Sequence, residues 1–243
     1  MVANAHSALV ELSGVHRRFR TGKVLVHALY DISLRVQPGE ILAICGPSGH
    51  GKTTLASLIG LLDPPSEGSL WFDGLATESL AEGARRQLRT EKIGLVFQHC
   101  TLVPVLSAQE NVMLPRLLNG KRPDDAGELA AELLARLGLA AQVRQLPTAL
   151  DASQRQRVCI ARALVTRPAL VVADEPTSRL DSGSVRMVMD LFSALQRERG
   201  TTFVIATRDQ RQLLRAARTL QLSEGRLLGA PADTPRLACR ALA

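Results

Sequence analysis

Aromatic side chains are scarce, with one Trp, one Tyr and five Phe in 243 residues. So few rings leave little for single-stranded bases to stack on, and nucleic acid is not an expected partner. There are four cysteines (Cys45, Cys100, Cys159 and Cys239), none at metal-ligand spacing from another. Neither a zinc site nor a disulfide framework is expected from them, which suits a reducing cytosol. No run approaches the about 18–20 apolar residues that cross a bilayer. Met1 to Gly14 has no basic segment followed by an apolar stretch, so it does not read as a secretory signal. What the chain does have is 46% hydrophobic residues and 22% charged ones, enough for one good-sized core or a core with a subdomain. Lys and Arg total 30 against 23 Asp and Glu, a net charge of +7. That balance favours anionic partners without choosing among nucleotide, nucleic acid and anionic membrane.

The pattern along the chain alternates strands with helices. Ile32, Leu34 and Val36 alternate with Asp31, Ser33 and Arg35, a strand with one wet face within 26–37. After the Pro38-Gly39 turn, Ile41-Leu42-Ala43-Ile44-Cys45 is apolar on both faces and reads as a buried strand. A Gly-rich loop leads into a helix expected from Lys52 to Leu62, stopped by Asp63-Pro64-Pro65. Short strands are expected around 70–72 and 94–97. From about residue 99 to 167 the chain becomes mostly helical. Asp124 or Asp125 can cap a helix with Leu129, Leu133, Leu134 and Leu137 on one face and Gly138 at its end. Strand signals return at 169–173 and 201–206. Between them Ser182 opens a helix with Val185, Val188, Met189, Phe192 and Leu195 as its buried stripe. This order argues for a mostly parallel sheet with an inserted helical subdomain, the whole chain being one domain. The Pro- and Ala-rich end, from about 230 to 243, is expected to be peripheral.

Gly46-Pro47-Ser48-Gly49-His50-Gly51-Lys52-Thr53 matches the phosphate-loop pattern G-x-x-x-x-G-K-[ST], and it lies between the buried strand and the helix. Glycines let backbone amides curl around a β-phosphate, and the helix N-terminus turns its dipole to the same anion. Lys52 would bridge the β- and γ-phosphates, and the Thr53 hydroxyl would ligate Mg²⁺. Thr54 is grouped with the nucleotide-binding loop, and the His50 backbone matters there more than its imidazole. Downstream, the apolar strand Leu170-Val171-Val172-Ala173 ends in Asp174 and Glu175. Asp174 is placed in the magnesium shell and Glu175 beside the attacking water.

Taken together these pieces resemble the ATP-binding cassette family of transporter ATPases, from about Leu9 to Leu228. They follow the family's order: the phosphate loop; Val96-Phe97-Gln98; the helical block; Arg155-Gln156-Arg157-Val158 before Ala161-Arg162-Ala163-Leu164; Ala173-Asp174-Glu175-Pro176-Thr177; and Leu180-Asp181. Val26-His27-Ala28-Leu29 and Glu110-Asn111-Val112-Met113-Leu114-Pro115 look most like the lipoprotein-release and macrolide-efflux branch. The resemblance implies an α/β fold: a P-loop NTPase (RecA-like) core, an N-terminal antiparallel β subdomain and an inserted α-helical subdomain. It implies an ATPase that uses ATP and Mg²⁺ and dimerises head to tail as a homodimer or heterodimer. It also implies a separate membrane permease partner, export or mechanotransmission, and a place on the cytoplasmic face of the cell membrane. Residue by residue, it implies that Phe19 stacks on adenine, with a core aromatic as the alternative role and Tyr30 as the competing stacker. Gln98 would ligate magnesium and sense the γ-phosphate, Glu175 would be the catalytic base, and a groove beginning near residue 99 would accept the permease's coupling helix.

Two stretches depart from the family pattern. Where a Leu-Ser-Gly-Gly-Gln signature would meet the partner's ATP, this chain has Leu150-Asp151-Ala152-Ser153-Gln154. Asp151 would set a carboxylate near the γ-phosphate, and Ala152 and Ser153 replace glycines that permit close approach. Asp151 with Gln154 also fits a helix capping box. The second departure is Arg208 in Thr207-Arg208-Asp209, where the family has a histidine able to orient the base and water. Arg208 is open between a phosphate contact and a solvated cation. In a homodimer, Arg208 of one subunit could offset Asp151 of the other, which would slow hydrolysis. A second class of function follows from these departures: an ATP-gated regulatory clamp with little or no hydrolysis.

Overall fold

The structure, a computed structural model, describes residues 8–22, 24–98 and 101–228. Two sheets carry it. The N-terminal sheet is antiparallel: β1 (Val10–Thr21) pairs with β2 (Val24–Val36) and β4 (Glu67–Phe72), and β5 (Leu75–Ala76) closes the far edge. On β2 the expected alternation holds, with Ile32, Leu34 and Val36 buried between exposed Asp31, Ser33 and Arg35. That apolar face belongs to the core under the sheet, together with Leu12, Val15, Leu70 and Phe72.

The second sheet has the order β10-β9-β3-β8-β7-β6. Its strands are β3 (Ile41–Cys45), β6 (Ile93–Val96), β7 (Leu170–Asp174), β8 (Thr202–Ala206), β9 (Arg218–Ser223) and β10 (Arg226–Leu228). All neighbours are parallel except the β9/β10 hairpin. Every residue of β3, β7 and β8 is buried, which is why their sequences are near-continuous apolar runs with no wet face.

Helix α1 (Lys52–Ile59) follows the Gly-rich loop, and α2 (Glu82–Lys92) precedes β6. The helix expected to run to Leu62 ends earlier, because Gly60 caps α1 and Leu61 adopts a left-handed φ of 55° that no helix continues through. The block before β7 holds α3 (Ala108–Leu118), α4 (Pro123–Arg136) and α5 (Ala152–Leu164). Leu129, Leu133, Leu134 and Leu137 are buried as their spacing predicts, and Gly138 takes φ 69° just past the helix end. The cap is different. Arg122 occupies the N-cap and Pro123 the first turn, so Asp124 and Asp125 lie inside the first turn and complement the helix dipole instead of capping it. In α6 (Ser182–Arg199) the whole predicted stripe is buried, and Asp181 is the N-cap. A four-residue helix, α7 (Gln210–Leu213), follows β8.

The two described cysteines, Cys45 and Cys159, are both disulfide-bonded, whereas their scattered positions predicted no disulfides. Spacing along the chain carries no record of which cysteines folding brings together. Cys100, Cys239 and the 230–243 tail lie outside the described residues, as does the start of the expected coupling groove at 99.

Candidate functional site

Three neighbouring parallel strands end at one sheet edge. Ile44 and Asp174 both pair with Ala206 of the strand between them. The loop after β3, Glu175 after β7, and Thr207-Arg208 after β8 therefore emerge side by side, where open α/β sheets bind their ligands. The Glu175 amide donates to the Ala206 carbonyl at 2.8 Å, and the Thr207 amide to the Ile44 carbonyl at 2.9 Å.

A cleft of about 480 Å³ opens at this edge, lined by Ser48 to Thr54, Gln98, Asp174, Glu175 and Arg208. Its floor needs glycine at two positions. A Cβ on Gly46 would lie 2.0 Å from the Leu222 carbonyl oxygen, and one on Gly51 would lie 2.8 Å from the Ala28 oxygen. Both also hold positive φ (155° and 98°). The loop thus packs tightly against the strands behind it. Gly46 and Pro47 shape that floor without lining the cleft themselves.

Lys52 is buried, and its ammonium donates to the Gly46 and Pro47 carbonyls at 2.7 and 2.8 Å. Burial holds it below the ordinary lysine range; Glu175 and Asp174 oppose that shift and Arg208 adds to it. Asp174 is likewise buried at 6% exposure. Glu175 has a left-handed φ of 46°, an uncommon conformation for a residue with a side chain. One of its carboxylate oxygens accepts from Arg208 Nε at 3.3 Å and the other from the Thr207 hydroxyl at 3.4 Å.

Magnesium has a fitting donor set here: the Thr53 hydroxyl, the Gln98 amide oxygen and the Asp174 carboxylate, all hard oxygen ligands on the cleft wall. Among the described residues no group of three His, Cys, Asp or Glu could hold an ion alone.

Other expected site residues stand apart from this cleft. Asp151 caps α5: its Oδ1 accepts from the Gln154 amide at 2.7 Å, and Gln154 Oε1 accepts from the Asp151 amide at 2.9 Å. Asp151 and Ala152 are exposed, and neither they nor Ser153 and Gln154 line the cleft. Phe19 pairs with Val26 across β1 and β2, and Val26 lines the cleft. The Phe19 ring itself carries the Arg17 guanidinium at 4.5 Å and is not in the lining. Tyr30 does line the cleft, with His27 at 3.6 Å and the Arg226 guanidinium at 4.9 Å from its ring.

Two features escaped the sequence reading. The His50 imidazole accepts from the Glu224 amide at 2.9 Å, tying the loop to the β9/β10 turn, so this side chain matters as well as its backbone. Gln156, 1% exposed, donates to the Pro176 carbonyl at 3.1 Å and to Phe97 at 3.4 Å, so α5 touches the neighbours of both Glu175 and Gln98. Only its place beside the signature stretch hinted at this.

A parallel α/β core, a phosphate loop and an acidic strand end meeting in one cleft define a P-loop ATPase cassette. The chain belongs to the ABC transporter family, whose profile matches residues 29–178, and is an ATP-binding, ATP-hydrolysing subunit of it. It is 42% identical over 228 residues to the lipoprotein-releasing system ATP-binding protein LolD of Bordetella avium, covering 94% of this chain and 99% of that protein. It is 40% identical over 234 residues to the macrolide export ATP-binding/permease protein MacB of Syntrophobacter fumaroxidans, 94% of this chain but 33% of that longer protein. The dimeric post-hydrolysis structure of the cassette MJ0796 with ADP and Pi superposes with a TM-score of 0.87 at 33% identity, covering 96% of this chain and all (100%) of that one.

Proposed function

We propose that this chain converts ATP-driven closure of a cassette dimer into movement of a separate membrane permease, in export or mechanotransmission, from the cytoplasmic face. The observation that carries the proposal is the convergence of Lys52, Asp174 and Glu175 on one phosphate-loop cleft. Among the described residues no helix is long and apolar enough to cross a membrane. Residues 1–243 act as one cassette, and the helical block of about 99–167 receives the permease.

In this reading the loop amides and Lys52 hold the β- and γ-phosphates. Thr53, Gln98 and Asp174 hold the magnesium, which when bound supplies charge neutralisation at the phosphate oxygens. Glu175 takes the proton of the attacking water, and Arg208 sits where it can meet either Glu175 or the γ-phosphate. Phe19 or Tyr30 supports the adenine, and the Asp151–Gln154 stretch faces the nucleotide of the partner subunit. Export of lipoprotein or macrolide-like cargo follows the similarity to LolD and MacB, with selectivity residing in the permease.

A second reading, an ATP-gated clamp that hydrolyses slowly, is favoured by the Arg208–Glu175 contact and by Asp151 at the signature position. Sizing the full chain with Mg-ATP, alongside affinity capture of its membrane partner, tests the coupled-transport reading. Capture of a permease with ATP-dependent dimerisation supports it, and dimerisation with no membrane partner favours the clamp.

A further inference from the structure

Behind Glu175 lies a buried polar network that the nucleotide-site reading does not use. Thr207 and Gln212 are both fully buried (0% exposed), and Thr177 is 2% exposed. Gln212 Nε2 donates to the Thr177 hydroxyl oxygen at 2.5 Å and to the Thr207 hydroxyl oxygen at 2.9 Å. The Thr207 oxygen also accepts from the Asp209 amide at 3.0 Å. A hydroxyl has one proton and two lone pairs. With both lone pairs taken, the Thr207 proton has one remaining neighbour among the described residues, Glu175 Oε2 at 3.4 Å.

We propose that Gln212 is a positioning residue for hydrolysis, fixing the Thr207 hydroxyl as a donor to Glu175 so that the carboxylate is held facing the attacking water. The inference rests on Glu175 being the base. At 3.4 Å the contact is longer than an optimal O–H···O bond, as catalytic hydrogen bonds are before the reacting complex tightens. The amide orientation matters. As placed, Gln212 leaves one buried carbonyl oxygen without a partner. Turned over, it would bury two unpaired N–H donors and draw the Thr207 proton away from Glu175, which costs more. The same amide reaches Thr177, two residues after Glu175, so one side chain braces the base from both flanks. A left-handed conformation (φ 46°) persists where the surroundings over-determine it, and these side-chain contacts add to the backbone bonds of Glu175.

The test is single-turnover hydrolysis by the full chain, with Mg-ATP affinity measured separately. Thr207→Val and Gln212→Leu are each expected to slow turnover by about tenfold, the size of one hydrogen bond to a charged group. Affinity for Mg-ATP should stay within about twofold, which is within the scatter of such contacts. The double variant should lose no more than either single one, and Thr207→Ser should recover most of the rate lost in Thr207→Val. If both single variants fold, bind and turn over at the unaltered rate, or if their losses multiply, the positioning role is wrong. Glu175→Gln separates the two failures. Should it retain hydrolysis, the reading of Glu175 as base fails. Should it abolish hydrolysis while Thr207→Val has no effect, only the present inference falls.

Discussion

Arg208 rests its guanidinium against the carboxylate of Glu175 at 3.3 Å, within one subunit. The sequence suggested another partner, Asp151 of a neighbouring subunit. Asp151 has its own occupation as the cap of α5, and Arg208 has beside it the carboxylate of Glu175, just after β7. The two members of the pair differ in exposure, 58% for the arginine side chain and 12% for the glutamate. An ion pair with one exposed partner contributes little to stability. Its consequence is chemical: with Glu175 as the base, as proposed, a cation bonded to it competes with the water that it would deprotonate.

Arg208→His should therefore raise the single-turnover rate of hydrolysis by about fivefold, the free-energy scale of one exposed ion pair. Unaltered protein should also speed up as salt screens the contact, and the variant should not. A rate that falls in Arg208→His would mean that the arginine serves the phosphate more than it restrains the base.

Asp151 carries two separable roles. Asp151→Ala should destabilise the chain by about 1 kcal/mol through loss of the cap, read from urea unfolding. Asp151→Ser keeps a capping oxygen and should cost no more than a few tenths of that, yet it removes the carboxylate from the proposed dimer face. ATP-dependent dimerisation should tighten in Asp151→Ser. An unchanged dimer affinity would place the carboxylate away from the partner's nucleotide.

Lys52 sets function against stability. Burial lowers its proton affinity, so below the ordinary lysine value of 10.5 the unfolded chain holds the proton more firmly than the folded one. Stability should then rise with pH across the alkaline window between the lowered folded value and the ordinary one. Lys52→Met should flatten that rise and melt no earlier than the unaltered protein at neutral pH, while losing Mg-ATP binding. Thermal melts from neutral to alkaline pH, paired with nucleotide titration, check both halves. A variant that melts earlier at neutral pH would show that the ammonium's bonds to Gly46 and Pro47 outweigh its burial.

Local sequence signals carried most of the architecture. The apolar runs at 41–45 and 169–173 mark the two strands that present the loop and the acidic pair, and strands 41–45 and 170–174 are buried along their whole length. The 182–195 stripe and the Asp151–Gln154 box were legible because each rests on contacts within a turn or two of helix. Long-range pairings were not. Arg208 meets Glu175 across 33 residues, and His50 meets Glu224 across 174. Gln212 gave no sign of burial, because a glutamine in a polar run at 208–212 looks like any solvated side chain until β7 and β8 close around it. The stop of α1 and the start of α4 were missed by a few residues for a related reason: backbone conformation at Leu61 and Pro123 decided them over the pattern of side chains.

The most direct measurement is single-turnover hydrolysis of Mg-ATP by the full chain and by Glu175→Gln, with binding of the nucleotide followed in parallel. Binding should persist in both, while the variant's rate falls by about a hundredfold or more, the contribution of a positioned general base. Equal rates in the two proteins, or a folded chain that ignores millimolar Mg-ATP (about the upper end of usual substrate affinities), would contradict the account.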